Sequence, residues 1–352
     1  MSKQLLYVGG YAAVGQPGLG AFWFDGATGG LTPAGAHSGV LNPSYLLLHP
    51  NGRWLYAVSE TGAASGDEPG GVWALTVSEA DGEVSFTALN RESTAGDWPC
   101  HLALDQSGRW LFASNYGSGS VAVFPIKEDG SLGERHTLLQ HEGSGPNEAR
   151  QEGAHAHSAI VAADNRFVIV ADLGIDSLMV YGFDATSGAL SLHEQVRTAP
   201  GSGPRHMAWA AGGTRLYVAH ELDSTVGLFR YDGAAGKLTP DGSWPTVPTG
   251  AGYNDVADIH LSADEQWLYV SNRGHNSLAV FAVGADGALT PAGHVSCGGD
   301  WPRNFALAPG GGHILVANQR SDAVAVLPLA GGQPGASLGD TAVPGPSCIQ
   351  FA

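Results

Sequence analysis

One pattern recurs along this chain: a Pro or small residue, a short alternating run, a turn, a run such as WLYVSN, then a run such as SLAVF and a Gly-Xaa-Leu ending. Clear copies begin at residues 42, 98, 155, 203, 256 and 301. A further copy is split between the ends, with GPSCIQFA at 345–352 supplying its start and LLYVGGYAAVGQPGLGAFWF at 5–24 the rest. The aligned positions after the Pro site are Ser44, Cys100, His157, Arg205, Ala257, Arg303 and Ser347, spaced 44 to 57 residues apart. Several short strands per unit at this period, with Gly-rich turns between them, define a propeller blade. The expected fold is all-β, a seven-bladed β-propeller of four-stranded antiparallel blades forming a single domain over 1–352. The split repeat puts the first and last strands in one blade, which closes the ring and removes its open edges.

Alternation in SVAVFPI (120–126) and SLAVFAV (277–283) has period two, and no sustained helical spacing competes with it. The segment 135–153, RHTLLQHEGSGPNEARQEG, falls outside the repeat and reads as an extended surface loop that can cover a site. The recurring Trp residues of GRWLF (108–112) and EQWLY (265–269) read as packing between blades.

The 352 residues carry a formal net charge of −17, with only 16 Lys and Arg. An acidic surface repels nucleic-acid phosphates and anionic membranes, so neither is an expected partner. The opening MSKQLLYVGGY enters a strand-like run without a charged and then apolar leader, and no run approaches a membrane span, so a cytoplasmic location is expected. Cys100, Cys297 and Cys348 are odd in number and lack CxxC spacing, which fits small packing residues rather than disulfides or zinc. A monomer or weak homodimer is expected.

Antiparallel pairing puts the start of each first strand and the end of each second strand on one face of the ring. Shared apolar positions serve packing in every copy, so positions where copies differ in charge carry function. At the opening position stand His157, Arg205 and Arg303; at the closing position of the second strands come Tyr11, Glu60, Tyr116, Leu173, Glu221, Arg273 and Gln319. His157, Arg205, Glu221, Arg273 and Arg303 therefore share one rim. Guanidinium groups grip carboxylate or phosphate and stabilise charge developing on oxygen. A nearby His or Glu can take a proton from water. The pattern predicts a pocket for a small anion with an acid–base pair.

His206, Asp258 and His260 fit hydrogen-bonding pegs between inner strands, and they are also candidates for substrate binding, as is His155. The spacing of His155 and His157 alone makes no metal site, and neither a metal nor an organic cofactor is expected. Asn115, Asp172, Asn272 and Asn318 share one closing position, which suits a metal-dependent lactonase or, more commonly, strand-end turns.

At these residues the chain resembles the lactonase family of seven-bladed propellers, which includes bacterial 6-phosphogluconolactonase and fungal carboxymuconate cyclases. The matching runs are RQEGAHAHS (150–158), GPRHM (203–207), HE (220–221), ADIHLS (257–262), SNRGHNS (271–277) and PRNF (302–305), spread over essentially the whole chain. The resemblance implies His157, Arg205, Glu221 and Arg273 as site residues, with Arg303 nearby. It departs at His220, where the family more often has Asn. It implies metal-independent hydrolysis of 6-phospho-D-glucono-1,5-lactone, feeding the pentose phosphate route. Arg205 and either Arg273 or Arg303 would hold the anionic lactone and polarise its carbonyl; either His157 or Glu221 would activate water while the other returns a proton to the ring oxygen. A lactone-forming cyclase of the carboxymuconate type, another sugar lactonase and a non-catalytic scaffold are the alternatives.

Overall fold

The computed structural model describes residues 3–12, 15–63 and 66–352. Seven antiparallel sheets follow one another along the chain, each with its first strand innermost. Neighbouring innermost strands touch all the way round, from Leu46–Leu48 through Pro99–Leu104, Ala156–Val161, Pro204–Ala210, Asp255–Leu261 and Pro302–Leu307 to Pro346–Phe351 and back. The last of these pairs with Gln4–Gly10 in the register Leu6↔Phe351 and Val8↔Ile349, which is the closure the split repeat calls for. In the blade that starts at Pro302 the outer edge comes in two pieces, Gln333–Pro334 and Gly339–Ala342.

Burial explains the sequence pattern strand by strand. Second and third strands, such as Trp110–Asn115 and Ser120–Pro125, lie between neighbouring blades and are apolar on both faces. Outer strands such as Ala189–Arg197 face water and read as mostly polar. The core is a set of clusters between adjacent blades; in one, Phe112, Val121 and Val123 meet Ala159, Val168, Val170 and Met179 of the next blade. Each large side chain buried this way contributes about 2 kcal/mol.

The recurring Trp residues lie at these junctions as expected. Trp54, Trp110 and Trp267 lie against Gly130, Gly188 and Gly332 in the outer turn of the following blade. A Cβ on Gly332 would sit 2.0 Å from the Trp267 ring, and its φ of 78° already disfavours side chains. Tyr56, Tyr217 and Tyr269 donate their hydroxyls to the carbonyls of Gly130, Gly287 and Gly332 at 3.0, 2.7 and 3.0 Å.

One irregularity recurs at the rim. Pairing of the first two strands skips a residue between Pro99 and His101, between Ala156 and Ser158, between Pro302 and Asn304, and between Pro346 and Cys348. The skipped residues are Cys100, His157, Arg303 and Ser347. In the blade that starts at Pro204 the irregular stretch holds Arg205 and His206. A β-bulge frees a side chain from the ladder and re-aims it. Most of the opening positions are thus bulges, and Cys100, His157 and Arg303 among them line one cavity at the rim.

The segment 135–153 is only partly a loop. Thr137–Gln140 forms the outer strand of its own blade, paired with Ser120–Pro125. The remainder, 141–153, crosses toward the channel mouth.

Candidate active site

A cavity of about 220 Å³ opens at the rim, lined by Glu60, Trp98, Cys100, Tyr116, Arg150, His157, Glu221, Arg273 and Arg303. His157, Glu221, Arg273 and Arg303 are brought together as the sequence suggests. Arg205 is not on the cavity wall. It lies behind Glu221, almost fully buried, with Nε donating to Glu221 Oε2 at 2.9 Å and Nη1 to the Ala257 carbonyl at 2.6 Å. A guanidinium so committed positions the carboxylate; it has no free fork for a carbonyl.

Glu221 is the electrostatic hub. Arg205, Arg273 (2.7 Å) and Arg150 all pair with it, from three different blades or their loops. Burial alone would raise its pKa, but Arg273, Arg205 and Arg150 outweigh burial and bring it down to about 2. Arg205 is pulled down to about 10 by burial and by Arg273, and remains charged at neutral pH. Arg273 also donates to the Val256 carbonyl at 3.1 Å.

His157 has the opposite problem. Its pKa lies well below the usual histidine value because burial, then Arg205, His206, Arg303 and Arg273, all oppose a second proton. It is a neutral imidazole at physiological pH. Its Nδ1 is 3.8 Å from Cys100 Sγ, and its ring meets Tyr116 edge to face at 5.5 Å between centroids. Burial pushes the Cys100 thiol up to about 12, so it stays protonated and is not a nucleophile.

Arg303 reaches toward Glu60, Nη2 to Oε1 3.9 Å, and lies over the Tyr11 ring. Glu60 in turn accepts from the hydroxyls of Tyr11 and Ser44. Two indoles near the site stand in strained backbone. At the residue before the Pro site, Asn42, Gly203 and Gly345 adopt the left-handed conformation, as do Trp98 and Trp301 with φ of 53° and 67°. A bulky side chain is unfavourable there, and such strain concentrates where function needs it. Trp98 lines the cavity; Trp301 carries the Arg273 guanidinium over its ring.

The four remaining candidates do not line this cavity. His155 stacks flat behind Tyr116 at 4.5 Å and bonds the Tyr116 carbonyl through Nδ1 at 2.8 Å. His206, Asp258 and His260 line a separate cavity of about 380 Å³ together with Tyr45, His101 and Ser158. There Asp258 ties His206 (2.7 Å), His260 (2.9 Å) and Asn304 (2.6 Å) from three inner strands. The bonds to His206 and Asn304 link neighbouring inner strands.

Asn115, Asp172, Asn272 and Asn318 serve strand ends. Asn272 donates to the Thr246 carbonyl, Asn318 to that of Cys297 and Asn115 to Ser120 Oγ, while Asp172 pairs with His141 Nδ1 at 2.6 Å. His220 turns its Nδ1 to Thr225 and does not touch the neighbouring carboxylate.

Sequence reasoning passed over Arg150, Glu60, Tyr116 and Trp98. Glu60 and Tyr116 stand at the same closing position as Glu221 and Arg273, and Arg150 opens the RQEGAHAHS run. Glu60 carried the same signal as Glu221, a charge at a shared closing position, while Tyr116 and Trp98 are uncharged and Arg150 lies outside the repeat.

Comparison with known proteins finds relatives of the same fold. The model of a family described as lactonase, 7-bladed beta-propeller, matches residues 5–351. A 6-phosphogluconolactonase of Bacillus subtilis is 34% identical over 323 residues, 91% of this chain and 90% of that protein. One of Formosa agariphila is 31% identical over 89% of each. The solved structure of a periplasmic gluconolactonase of Pseudomonas aeruginosa superimposes with a TM-score of 0.94 at 34% identity, covering 100% of this chain and 99% of that one.

Proposed function

Since the chain belongs to the seven-bladed β-propeller lactonase family, we propose that it hydrolyses 6-phospho-D-glucono-1,5-lactone to 6-phosphogluconate at the rim cavity. The observation that carries this reading is the meeting, in one cavity, of a neutral His157 with the guanidinium groups of Arg150, Arg273 and Arg303.

His157 accepts a proton from water as its oxygen attacks the lactone carbonyl carbon. Arg273 and Arg303 stabilise the negative charge that develops on the carbonyl oxygen. The carbon–ring-oxygen bond then breaks, and the protonated His157 returns its proton to the departing oxygen, leaving an open hydroxy acid. Glu221, so acidic among its arginines, is a poor base at neutral pH; its role is to hold Arg150, Arg205 and Arg273 in place. This assignment chooses between the two roles that the sequence left open.

The test is acid release from freshly prepared phosphosugar lactone, followed at constant pH against spontaneous hydrolysis. A rate clearly above the spontaneous one is expected. A rate no greater than spontaneous, with lactone formed from a carboxymuconate instead, would favour the cyclase reading.

A further inference from the structure

Each guanidinium at the site is committed to a different degree. The Arg205 and Arg273 side chains are 2% and 5% exposed; Arg205 gives Nε and Nη1 to Glu221 and the Ala257 carbonyl, while Arg273 gives Nη2 to Glu221 and the Val256 carbonyl and, among the described residues, leaves Nη1 unengaged on the cavity wall. Arg303 is 19% exposed and lies inside, over Tyr11. Arg150 is 32% exposed, at the mouth. Its Nη1 stands 3.6 Å from Asp255 Oδ2, too far for a good hydrogen bond, and its contact with Tyr116 Oη is 3.4 Å. Its Nη2 is taken by Glu221, while Nε and Nη1 make no hydrogen bond among the described residues, so Arg150 has donors to give.

The loop that presents it is built to hold still. The next residue, Gln151, is fully buried and donates through Nε2 to the Leu173 carbonyl at 2.8 Å and to Asp176 Oδ1 at 2.7 Å. Backbone bonds from Arg150 and Gln151 to Asn147 close the turn. The guanidinium thus projects over the cavity from a fixed base, with a flexible stem.

A lactone phosphate is doubly charged, and its desolvation is the costliest part of binding. It belongs at the mouth, where water still reaches it, while the uncharged lactone ring goes toward His157. We propose that Arg150 is the residue that recognises the phosphomonoester of the substrate and so sets the preference for phosphorylated over neutral sugar lactones. The inference rests on the lactonase reading for the identity of the sugar. A planar fork with two free N–H groups matches two phosphate oxygens. Engaging them draws Arg150 from Glu221, which keeps Arg205 and Arg273.

The test measures equilibrium binding of two stable products, 6-phosphogluconate and gluconate, by calorimetry on the wild type, Arg150→Met and Arg150→Lys, with inorganic phosphate as a further probe. The wild type should bind the phosphorylated acid roughly 10- to 100-fold more tightly than gluconate. Arg150→Met should narrow that gap to within about threefold, and Arg150→Lys should keep part of it. A gap unchanged in Arg150→Met, or none in the wild type, would overturn the proposal. So would inorganic phosphate binding as tightly as 6-phosphogluconate, which marks a free-anion site. Because binding needs no turnover, failure of the lactonase reading shows separately, as absent acid release from the lactone while the binding gap stands.

Discussion

Arg205 and Glu221 sit at the open end of one hairpin, at the start of its first strand and just past its second, 16 residues apart in sequence, and their side chains meet at 2.9 Å with both almost completely buried. The hairpin brings them together because Arg205 leaves the ladder at a bulge while Glu221 follows the last paired residue of the second strand, His220. With Arg273 and Arg150 on the same carboxylate, one negative charge holds three positive ones. Removing that charge leaves buried cations unpaired. Glu221→Gln should therefore cost about 3–5 kcal/mol at neutral pH, read as a lowered midpoint in denaturant.

The same pair makes stability depend on acid. The Glu221 carboxyl titrates near 4.5 when unfolded and near 2 when folded, so its contribution is complete above about pH 4.5 and disappears as pH falls toward 2. That shift corresponds to about 3 kcal/mol for this buried group. Unfolding free energy of the wild type should drop through this window, and the gap between wild type and Glu221→Gln should narrow across it. A gap of constant size from pH 7 to pH 2.5 would contradict the assignment.

The pH dependence of turnover reports on His157. It works only as the neutral ring, and its pKa is depressed, so kcat/KM should stay level as pH falls through 6.5 and decline only below that. Arg303→Met removes one of the positive neighbours that depress it. The acid limb of the normalised profile should then move upward, toward 6.5. An unmoved limb would mean that another group titrates.

Asp258 separates scaffold from site. It ties His206, His260 and Asn304 across inner strands, on the wall of the second cavity. Asp258→Ala should cost about 3 kcal/mol or more of stability through its orphaned partners, while KM for the lactone stays within about twofold. A large rise in KM with stability intact would return these residues to the substrate site.

Trp98 occupies left-handed backbone at φ 53°, where an indole is strained and glycine is not. Relief of that strain offsets part of the packing lost in Trp98→Gly. The variant should raise KM about fivefold, in line with loss of one aromatic contact, with a smaller fractional effect on kcat. A variant that melts early and binds normally would mark Trp98 as structural.

The propeller was legible because packing repeats: every blade needs the same apolar second and third strands, so the copies align by eye. The rim was legible for the opposite reason, since His157, Arg205, Glu221, Arg273 and Arg303 break the repeat. What sequence position could not tell was which way each residue faces. A bulge takes Arg205 behind Glu221, while its neighbour His206 points into a different cavity. His155 lies two residues from His157 yet stacks on the far side of Tyr116. Arg150 was hidden because it belongs to no repeat; its loop reaches Glu221 across 71 residues of sequence.

The most direct measurement is the initial rate of 6-phospho-D-glucono-1,5-lactone hydrolysis by wild type and His157→Asn, at constant pH, with both proteins shown to be folded by their melting curves. Loss of the base should lower kcat by about 100-fold or more. A His157→Asn protein that turns over the lactone at the wild-type rate would contradict the account.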